Sequence, residues 1–273
     1  MAKEPKEKEK QERYTVQSID KSLDLLELLA DRGSLSLIEL ADLLEQPKSS
    51  TFRILQTLEH RGYVGRSSED GKFCLGYKQL SLAKYLMARS KLNLAAAPEM
   101  SRLSARFGDT VNLGVLTGEG VIIYIEIIEG THALRMTETV GSQAPYYATA
   151  LGKAIAAYLP EREREALLGS SALEALTAYT IADADSLRNT LRQVRARGYA
   201  LDDQEITLGA RCVAVPIFNM QGRVEGGLSL SGPMHRFEGQ ALTDIMAELL
   251  RAGAEISARM GCGLYPPAEE LEH

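Results

Sequence analysis

Two helical patterns with almost no chain between them constrain the N-terminal part of this sequence more than any other feature. Ser36 and Glu39 have the spacing of a capping box, in which a serine and a glutamate three residues later cap each other's backbone at a helix start. A second helix is predicted between Pro47 and Gly62, because proline favours the first turn and glycine the position after the last. Since only residues 45 and 46 separate the two patterns, the sequence predicts a helix-turn-helix.

The second predicted helix has two chemically different faces. One face must pack inward and carries residues at helical spacing: Thr51, Ile54, Leu55 and Leu58. The other face is polar, and residues 46–66 hold four basic groups and one acidic group. Such a face can approach phosphates, and the second helix of a helix-turn-helix is the one that enters the major groove. The predicted DNA contacts on this helix are Lys48, Ser49, Ser50, Phe52, Arg53 and Gln56.

A first helix and a hairpin flank this pair. The first helix is predicted from Ser18 to Gly33, with its packed face at Ile19, Leu23, Leu26, Leu29 and Ala30. After Gly62, the strand-like runs 63–66 and 72–75 enclose an Asp-Gly pair, which is typical of hairpins. Three helices and a hairpin form a winged helix-turn-helix, in which Arg66 and Lys72 are the predicted wing contacts with DNA. Winged helices also dock onto proteins, so a docking module remains an alternative.

Charge is distributed unevenly along the 273 residues. Residues 1–13 hold nine charges without apolar periodicity, which predicts a disordered tail. Residues 14–90 are neutral overall, whereas residues 91–273 carry a net charge of −7. We predict a winged helix-turn-helix domain at 14–76, a linker helix with apolar residues on several sides at 77–90, a second domain at 91–265 and a tail at 266–273.

The second domain mixes strands and helices, which makes the fold α+β with an antiparallel sheet. The predicted strands are 111–116, 121–128, 134–139, 213–218 and 224–231. The predicted helices are 93–107, 150–159, 160–168, 187–197 and 238–260.

Composition excludes several classes of protein. No apolar run approaches the roughly 18 residues that span a bilayer, and the charged N-terminus is unlike a signal peptide. We therefore expect a cytoplasmic protein without a membrane partner. Three widely spaced cysteines argue against a disulfide framework, and the four histidines form no metal-binding pair. We expect no metal and no other cofactor.

An enzyme is the alternative that the sequence favours less. Cys212 is a conceivable nucleophile, but a cysteine that enters an apolar strand is usually a small core residue. Asp202 and Asp203 are conceivable acid and base groups, although adjacent carboxylates at a strand end commonly cap a turn. We expect no catalytic residues.

A small-molecule sensor accounts better for the polar residues. Ser229 and Ser231 alternate along one strand, so both hydroxyls point to the same side. Thr149 is a predicted helix cap that leaves the backbone amides of Ala150, Leu151 and Gly152 for an anion, of which a carboxylate is the natural example. From chemistry alone, a serine pair satisfied by backbone and a cap without a ligand remains equally open.

The order of motifs resembles the IclR family of bacterial transcriptional regulators from about residue 16 to residue 260. The matching segments include Pro47-Lys-Ser-Ser-Thr51, Ala148-Thr-Ala-Leu-Gly-Lys-Ala154, Leu228-Ser-Leu-Ser-Gly-Pro233 and residues 17–23, 62–64, 197–203 and 209–216. The resemblance implies a linker helix that pairs protomers, a GAF-like effector domain, a homodimer or homotetramer, and a double-stranded DNA operator.

The resemblance also implies a ligand site. In this family the effector pocket is lined at the positions of Ala150, Leu151, Asp202, Cys212, Ser229 and Ser231. Residues 134–136, 147–150, 256–261 and 265–266 look most like the branch that responds to 2-keto-3-deoxy sugar acids. We expect a repressor that a small carboxylate, such as a keto sugar acid, controls. Leu151 is bulkier than the small residue that some members have there.

Overall fold

The computed structural model describes residues 16–170 and 172–266. The predicted tail at 1–13 lies outside them, as does the predicted C-terminal tail beyond residue 266. Contacts within the chain define two compact units, with the boundary between Arg89 and Ser90. The predicted linker helix at 77–90 falls in the first of them except for its last residue. No helix in the described part of the chain is long and apolar enough to cross a membrane.

The N-terminal unit has three helices, a two-stranded wing and a fourth helix. These are α1 (Gln17–Arg32), α2 (Leu37–Leu43), α3 (Lys48–His60), β1 (Val64–Arg66), β2 (Phe73–Leu75) and α4 (Lys78–Arg89). The capping box is present, because Ser36 N–H donates to Glu39 Oε2 at 2.7 Å and Glu39 N–H donates to Ser36 Oγ at 3.3 Å. β1 and β2 pair antiparallel. Pro47 precedes α3 as its N-cap residue rather than lying in its first turn.

The packed face of α1 differs from the prediction. Leu25 and Leu29 are buried, whereas Ile19 and Leu23 are more than half exposed. Apolar residues surround this helix on several sides, so helical spacing alone offers two stripes. Leu25 lies in the same core as Leu40 of α2. The buried stripe of α1 is therefore the one that contains Leu25.

The C-terminal unit is a six-stranded antiparallel sheet between two helical layers. Its elements are α5 (Lys91–Phe107), β3 (Thr110–Leu116), β4 (Val121–Ile128), β5 (Gln143–Pro145), α6 (Ala150–Ala156), α7 (Glu161–Ser170), α8 (Ala184–Arg197), β6 (Ala200–Asp203), β7 (Ala210–Phe218), β8 (Val224–Pro233) and α9 (Gly239–Arg259). The strand order is β5-β4-β3-β8-β7-β6. One face of the sheet packs on α5 and α9, and the other packs on α6, α7 and α8. Both faces of the sheet are therefore covered by helices.

The predicted strand at 134–139 is wrong. This segment has no strand pairing, and the edge of β4 is instead paired by β5. The segment is held at its two ends, because Thr110 Oγ1 donates to the carbonyl of Met136 at 3.1 Å and Gly141 N–H donates to the carbonyl of Tyr124 at 2.7 Å. We call residues 134–142 the mouth segment, because its side chains line a cavity rather than a sheet.

The helix predicted over 150–159 is also shorter than expected. α6 ends at Ala156, and the chain continues in tighter turns in which Tyr158 N–H donates to Ile155 and Leu159 N–H to Ala156. Pro160 follows, and proline cannot donate the hydrogen bond that would continue a helix.

Candidate functional site

The two faces of α3 are separated as the sequence predicts. Thr51 and Leu55 are fully buried, which fixes the helix in the unit. The opposite face is open to solvent, and the predicted contacts on α3 are exposed except Ser50, which is half-buried: Lys48, Ser49, Phe52, Arg53 and Gln56. Arg53 and Ser50 also line a groove of about 640 Å³ beside the first turns of α1. This face therefore offers hydroxyl, amide and guanidinium donors together.

The two predicted wing cations have partners within the unit. Arg66 Nε donates to Glu59 Oε1 at 3.0 Å, and its guanidinium lies 4.0 Å from the centroid of the Phe73 ring. Lys72 Nζ lies 3.6 Å from Glu39 Oε2. Exposed pairs of this kind contribute only about 0–1 kcal/mol, so exchanging the carboxylates for phosphates costs little.

The C-terminal unit contains a cavity of about 510 Å³. The start of α6, strands β4, β7 and β8, the end of β6 and the mouth segment form its walls. All the predicted effector residues except Gly152 line it: Thr149, Ala150, Leu151, Asp202, Cys212, Ser229 and Ser231. The mouth segment adds Arg135, Met136 and Glu138.

Strand register explains why the polar lining residues meet. Asp202 pairs with Cys212, and Cys212 pairs with Ser231, so β6, β7 and β8 bring these three residues side by side. Their side chains share the face covered by α6, since the alternate residues Val213 and Leu230 pack in the core on the other face.

Asn112 organises the two serines, although no motif in the sequence pointed to it. Asn112 Nδ2 donates to Ser229 Oγ at 3.3 Å and to Ser231 Oγ at 3.0 Å. A hydroxyl whose oxygen accepts a hydrogen bond still has its own hydrogen to donate. The serines can therefore act as donors toward a ligand. The sequence did contain one signal for this role, because Asn112 is a polar residue among the apolar residues of the run 110–116.

Gly152 corrects the predicted set of anion-binding amides. Thr149 caps α6 as predicted, but the N–H that it accepts at 2.9 Å is that of Gly152, so this amide is occupied. A Cβ at Gly152 would overlap the backbone of Tyr146. Glycine at this position therefore permits a close approach of two backbones.

Two acids line the cavity, and both are harder to ionise than usual. Burial raises the pKa of Asp202 to about 6, with nearby Lys153 acting in the opposite direction. Asp202 Oδ1 also accepts the N–H of Glu205 at 2.8 Å, which is the turn-capping role that the sequence analysis left open. Burial likewise raises the pKa of Glu138.

Cys212 is unsuited to nucleophilic chemistry. Burial, and then the neighbouring Asp202, raise the pKa of the Cys212 thiol well above its ordinary value. A reactive cysteine needs the opposite shift, because the thiolate is the nucleophile. In the described ranges, no cluster of three or more histidine, cysteine or acidic side chains is placed to hold a metal ion.

A buried ion pair lies behind the cavity wall. Lys153 of α6 is 1% exposed and its Nζ contacts Glu205 Oε1. Because the N–H of the same Glu205 is bonded to Asp202, the pair connects α6 with the turn that follows β6.

Sequence comparisons match both units. The model of the IclR helix-turn-helix domain matches residues 18–68, and the model of the bacterial transcriptional regulator IclR C-terminal domain matches residues 84–258. The chain belongs to the IclR family. It is 36% identical over 253 residues to the HTH-type transcriptional regulator XynR of Escherichia coli K12, covering 92% of this chain and 98% of XynR. It is 34% identical to KdgR of the same organism, over 92% and 95% of the two chains.

A solved IclR structure has the same architecture. The Thermotoga maritima IclR crystal structure superposes with a TM-score of 0.70 at 29% identity, covering 90% of this chain and 99% of the other. The α+β fold class, with an N-terminal helix-turn-helix domain and a C-terminal effector domain, is confirmed. This IclR-family chain is a DNA-binding transcriptional regulator that responds to a small molecule, and not an enzyme. The alternatives based on Cys212 with Asp202 and Asp203, or on protein docking alone, are set aside.

Proposed function

We propose that this regulator binds a roughly palindromic operator through paired winged units, with Ser49, Arg53 and Gln56 in the major groove, and that a small carboxylate in the cavity controls this binding. Repression is the simplest outcome, because a protein bound over a promoter excludes RNA polymerase. The protein would act in the cytoplasm, where the chromosome lies.

The exposed face of α3 supports the DNA contacts. Arg53 extends from this face, and arginine binds the major-groove edge of guanine with two hydrogen bonds. Lys48, Ser50 and Phe52 lie on its flank, and Arg66 and Lys72 of the wing are the proposed phosphate contacts.

Replacing Arg53 with alanine should cost about 1–3 kcal/mol of operator affinity, concentrated at one base-pair position. Gel shifts on the gene's own upstream region, at several salt concentrations and with single-base operator variants, measure this loss. The matched control is Arg61→Ala, which removes an equal charge beyond the end of α3. An equal loss on all sequences would make Arg53 a phosphate contact, and no salt-sensitive binding to any upstream fragment would contradict the DNA model.

One observation carries the proposal of a carboxylate ligand: Asn112 holds Ser229 and Ser231 so that both hydroxyls can donate. Two converging donors suit the two oxygens of a carboxylate. Burial raises the pKa of the neighbouring Asp202 to about 6, so this acid can take up a proton more easily than an ordinary aspartate when an anion binds beside it. Similarity to KdgR supports assignment to the branch that responds to 2-keto-3-deoxy sugar acids, and hence a keto sugar acid as the effector.

Replacing Ser229 and Ser231 with alanine should leave the affinity for the operator unchanged and lower the affinity for the effector. A hydrogen bond to a charged group contributes about 1.5–3 kcal/mol, so we expect roughly tenfold to hundredfold weaker binding for each serine. Calorimetry with the keto sugar acid measures this, and gel shifts measure release of DNA. Ser104→Ala, in α5 and outside the cavity, is the control. Unchanged effector release by the double variant would remove the serines from the site.

Exposed apolar residues support a homo-oligomer. Tyr77, which precedes α4, and Leu80, Tyr85 and Leu86 on α4 are all more than half exposed. So large an apolar surface is expected to be covered by another molecule. We propose a dimer or a tetramer. The effector acts by binding one arrangement of the protomers more tightly than another, since only differential affinity shifts a population.

A further inference from the structure

The mouth segment contains a carboxylate oxygen that lacks a partner. Glu138 Oε2 is buried and accepts no hydrogen bond from any part of the chain that the structure describes. Glu138 is a lining residue of the cavity, and its carboxylate is close enough to Tyr124 and Cys212 to raise the pKa of both groups. A buried acceptor left unpaired is costly, and more so when it is charged.

The position of Glu138 is fixed from both sides. Two residues before it, the carbonyl of Met136 accepts a hydrogen bond from Thr110 of β3. Three and four residues after it, Gly141 and Ser142 are hydrogen-bonded to Tyr124 of β4. Glu138 therefore lies on a short stretch anchored to two neighbouring strands, and not on a loop free to turn away from the cavity.

The cavity lining thus contains two chemically opposite kinds of group. The serines that Asn112 organises can donate hydrogen bonds, whereas Glu138 in its ionised form can only accept them. A second carboxylate on the ligand would be repelled by Glu138, and an alkyl chain would leave its oxygen unpaired. A ligand hydroxyl provides the donor that this oxygen lacks.

We propose that Glu138 is a specificity-determining residue that accepts a hydrogen bond from a hydroxyl of the effector, so that the regulator selects hydroxylated acids over unsubstituted acids of the same length. This inference rests on the proposed function of the cavity. Its basis is the unpaired oxygen of Glu138, whereas the proposed function is based on the serines.

A matched pair of six-carbon acids tests the proposal. The probes are 4,5,6-trihydroxy-2-oxohexanoate and 2-oxohexanoate, which share the keto acid end and differ only in three hydroxyls. Calorimetry on the full-length protein gives the ratio of their dissociation constants. We expect the wild type to bind the trihydroxy acid at least tenfold more tightly, and Glu138→Leu, which has no acceptor, to reduce this ratio by about tenfold or more. Glu138→Gln should reduce it less, because its amide oxygen can still accept a hydrogen bond. Glu119→Gln, an exposed acid outside the cavity lining, should not change it.

The outcomes separate the two proposals. If both acids bind and release DNA but the ratio is the same in Glu138→Leu and wild type, Glu138 has no role in selection and the cavity remains the effector site. If the folded wild type binds neither acid, the proposed function and this inference both fail.

Thermal unfolding without a ligand gives an independent readout. A residue that only holds the mouth segment in place would lower the unfolding temperature when replaced. An unpaired buried acid should do the reverse, so Glu138→Gln and Glu138→Leu are expected to melt at or above the wild-type temperature. A lower melting temperature in both variants would overturn the proposal in favour of a structural role.

Discussion

Replacing Lys153 with methionine should lower the free energy of unfolding of the C-terminal unit by about 3–5 kcal/mol. Lys153 is 1% exposed and its ammonium is paired with Glu205, whose side chain is also nearly inaccessible. Methionine fills a similar volume but leaves the Glu205 carboxylate buried without its counter-charge. The loss therefore reflects the unpaired acid more than the missing attraction. Urea unfolding of the full chain, followed by far-UV circular dichroism, measures it.

Two further variants make this result specific. Lys153→Met combined with Glu205→Leu removes both charges and should recover most of the lost stability, because an apolar pair of similar volume can replace a buried ion pair. Arg188→Ala breaks the surface pairs with Glu165 and Asp185 and should cost far less, because surface ion pairs contribute little to stability. A double variant no more stable than Lys153→Met alone would show that packing, rather than charge, dominates at this position.

Replacing Gly152 with alanine should cost about 3 kcal/mol, at the upper end of the usual range for overpacking. The added Cβ would overlap the backbone Cα, C and O atoms of Tyr146, which cannot turn aside as a flexible side chain can. α6 must shift, and Ala150 and Leu151 of the cavity lining shift with it. We expect weaker effector binding together with lower stability, measured by calorimetry and urea unfolding.

The control for Gly152→Ala is Gly169→Ala in α7. A Cβ at Gly169 meets none of the described atoms within 4 Å, and alanine favours a helix over glycine by about 0.8–1.0 kcal/mol. This variant should be slightly more stable than the wild type, with unchanged effector binding. Wild-type stability in Gly152→Ala would mean that the two backbones can separate without cost.

Local patterns were sufficient to predict the winged helix-turn-helix. The capping box of Ser36 and Glu39 and the buried spacing of Thr51 and Leu55 on α3 depend on residues within a few positions of one another. The packed face of α1 was predicted correctly at Leu29 and wrongly at Ile19 and Leu23, because the choice between apolar stripes depends on what Leu25 packs against. Ser229 and Ser231 were predicted to share a face because alternation along a strand is also local.

Contacts between distant segments could not be predicted in the same way. Asn112 meets Ser229 across 117 positions of sequence, and Lys153 meets Glu205 across 52. The mouth segment was mistaken for a strand because its partners, Thr110 and Tyr124, lie on strands whose lateral order the sequence does not specify. Glu138 was therefore not considered as a cavity residue.

The strand order has a consequence for the synthesis of the protein. β3 and β8 are adjacent in the sheet, yet Thr110 and its partner Ser231 are separated by more than half of the C-terminal unit. The hydrogen bonds of the N-terminal wing join residues close in sequence, so this unit can fold while the ribosome is still translating the rest. The serine side of the cavity forms only after β8 has emerged. We therefore expect a newly made chain to acquire its DNA-binding surface before it can respond to an effector.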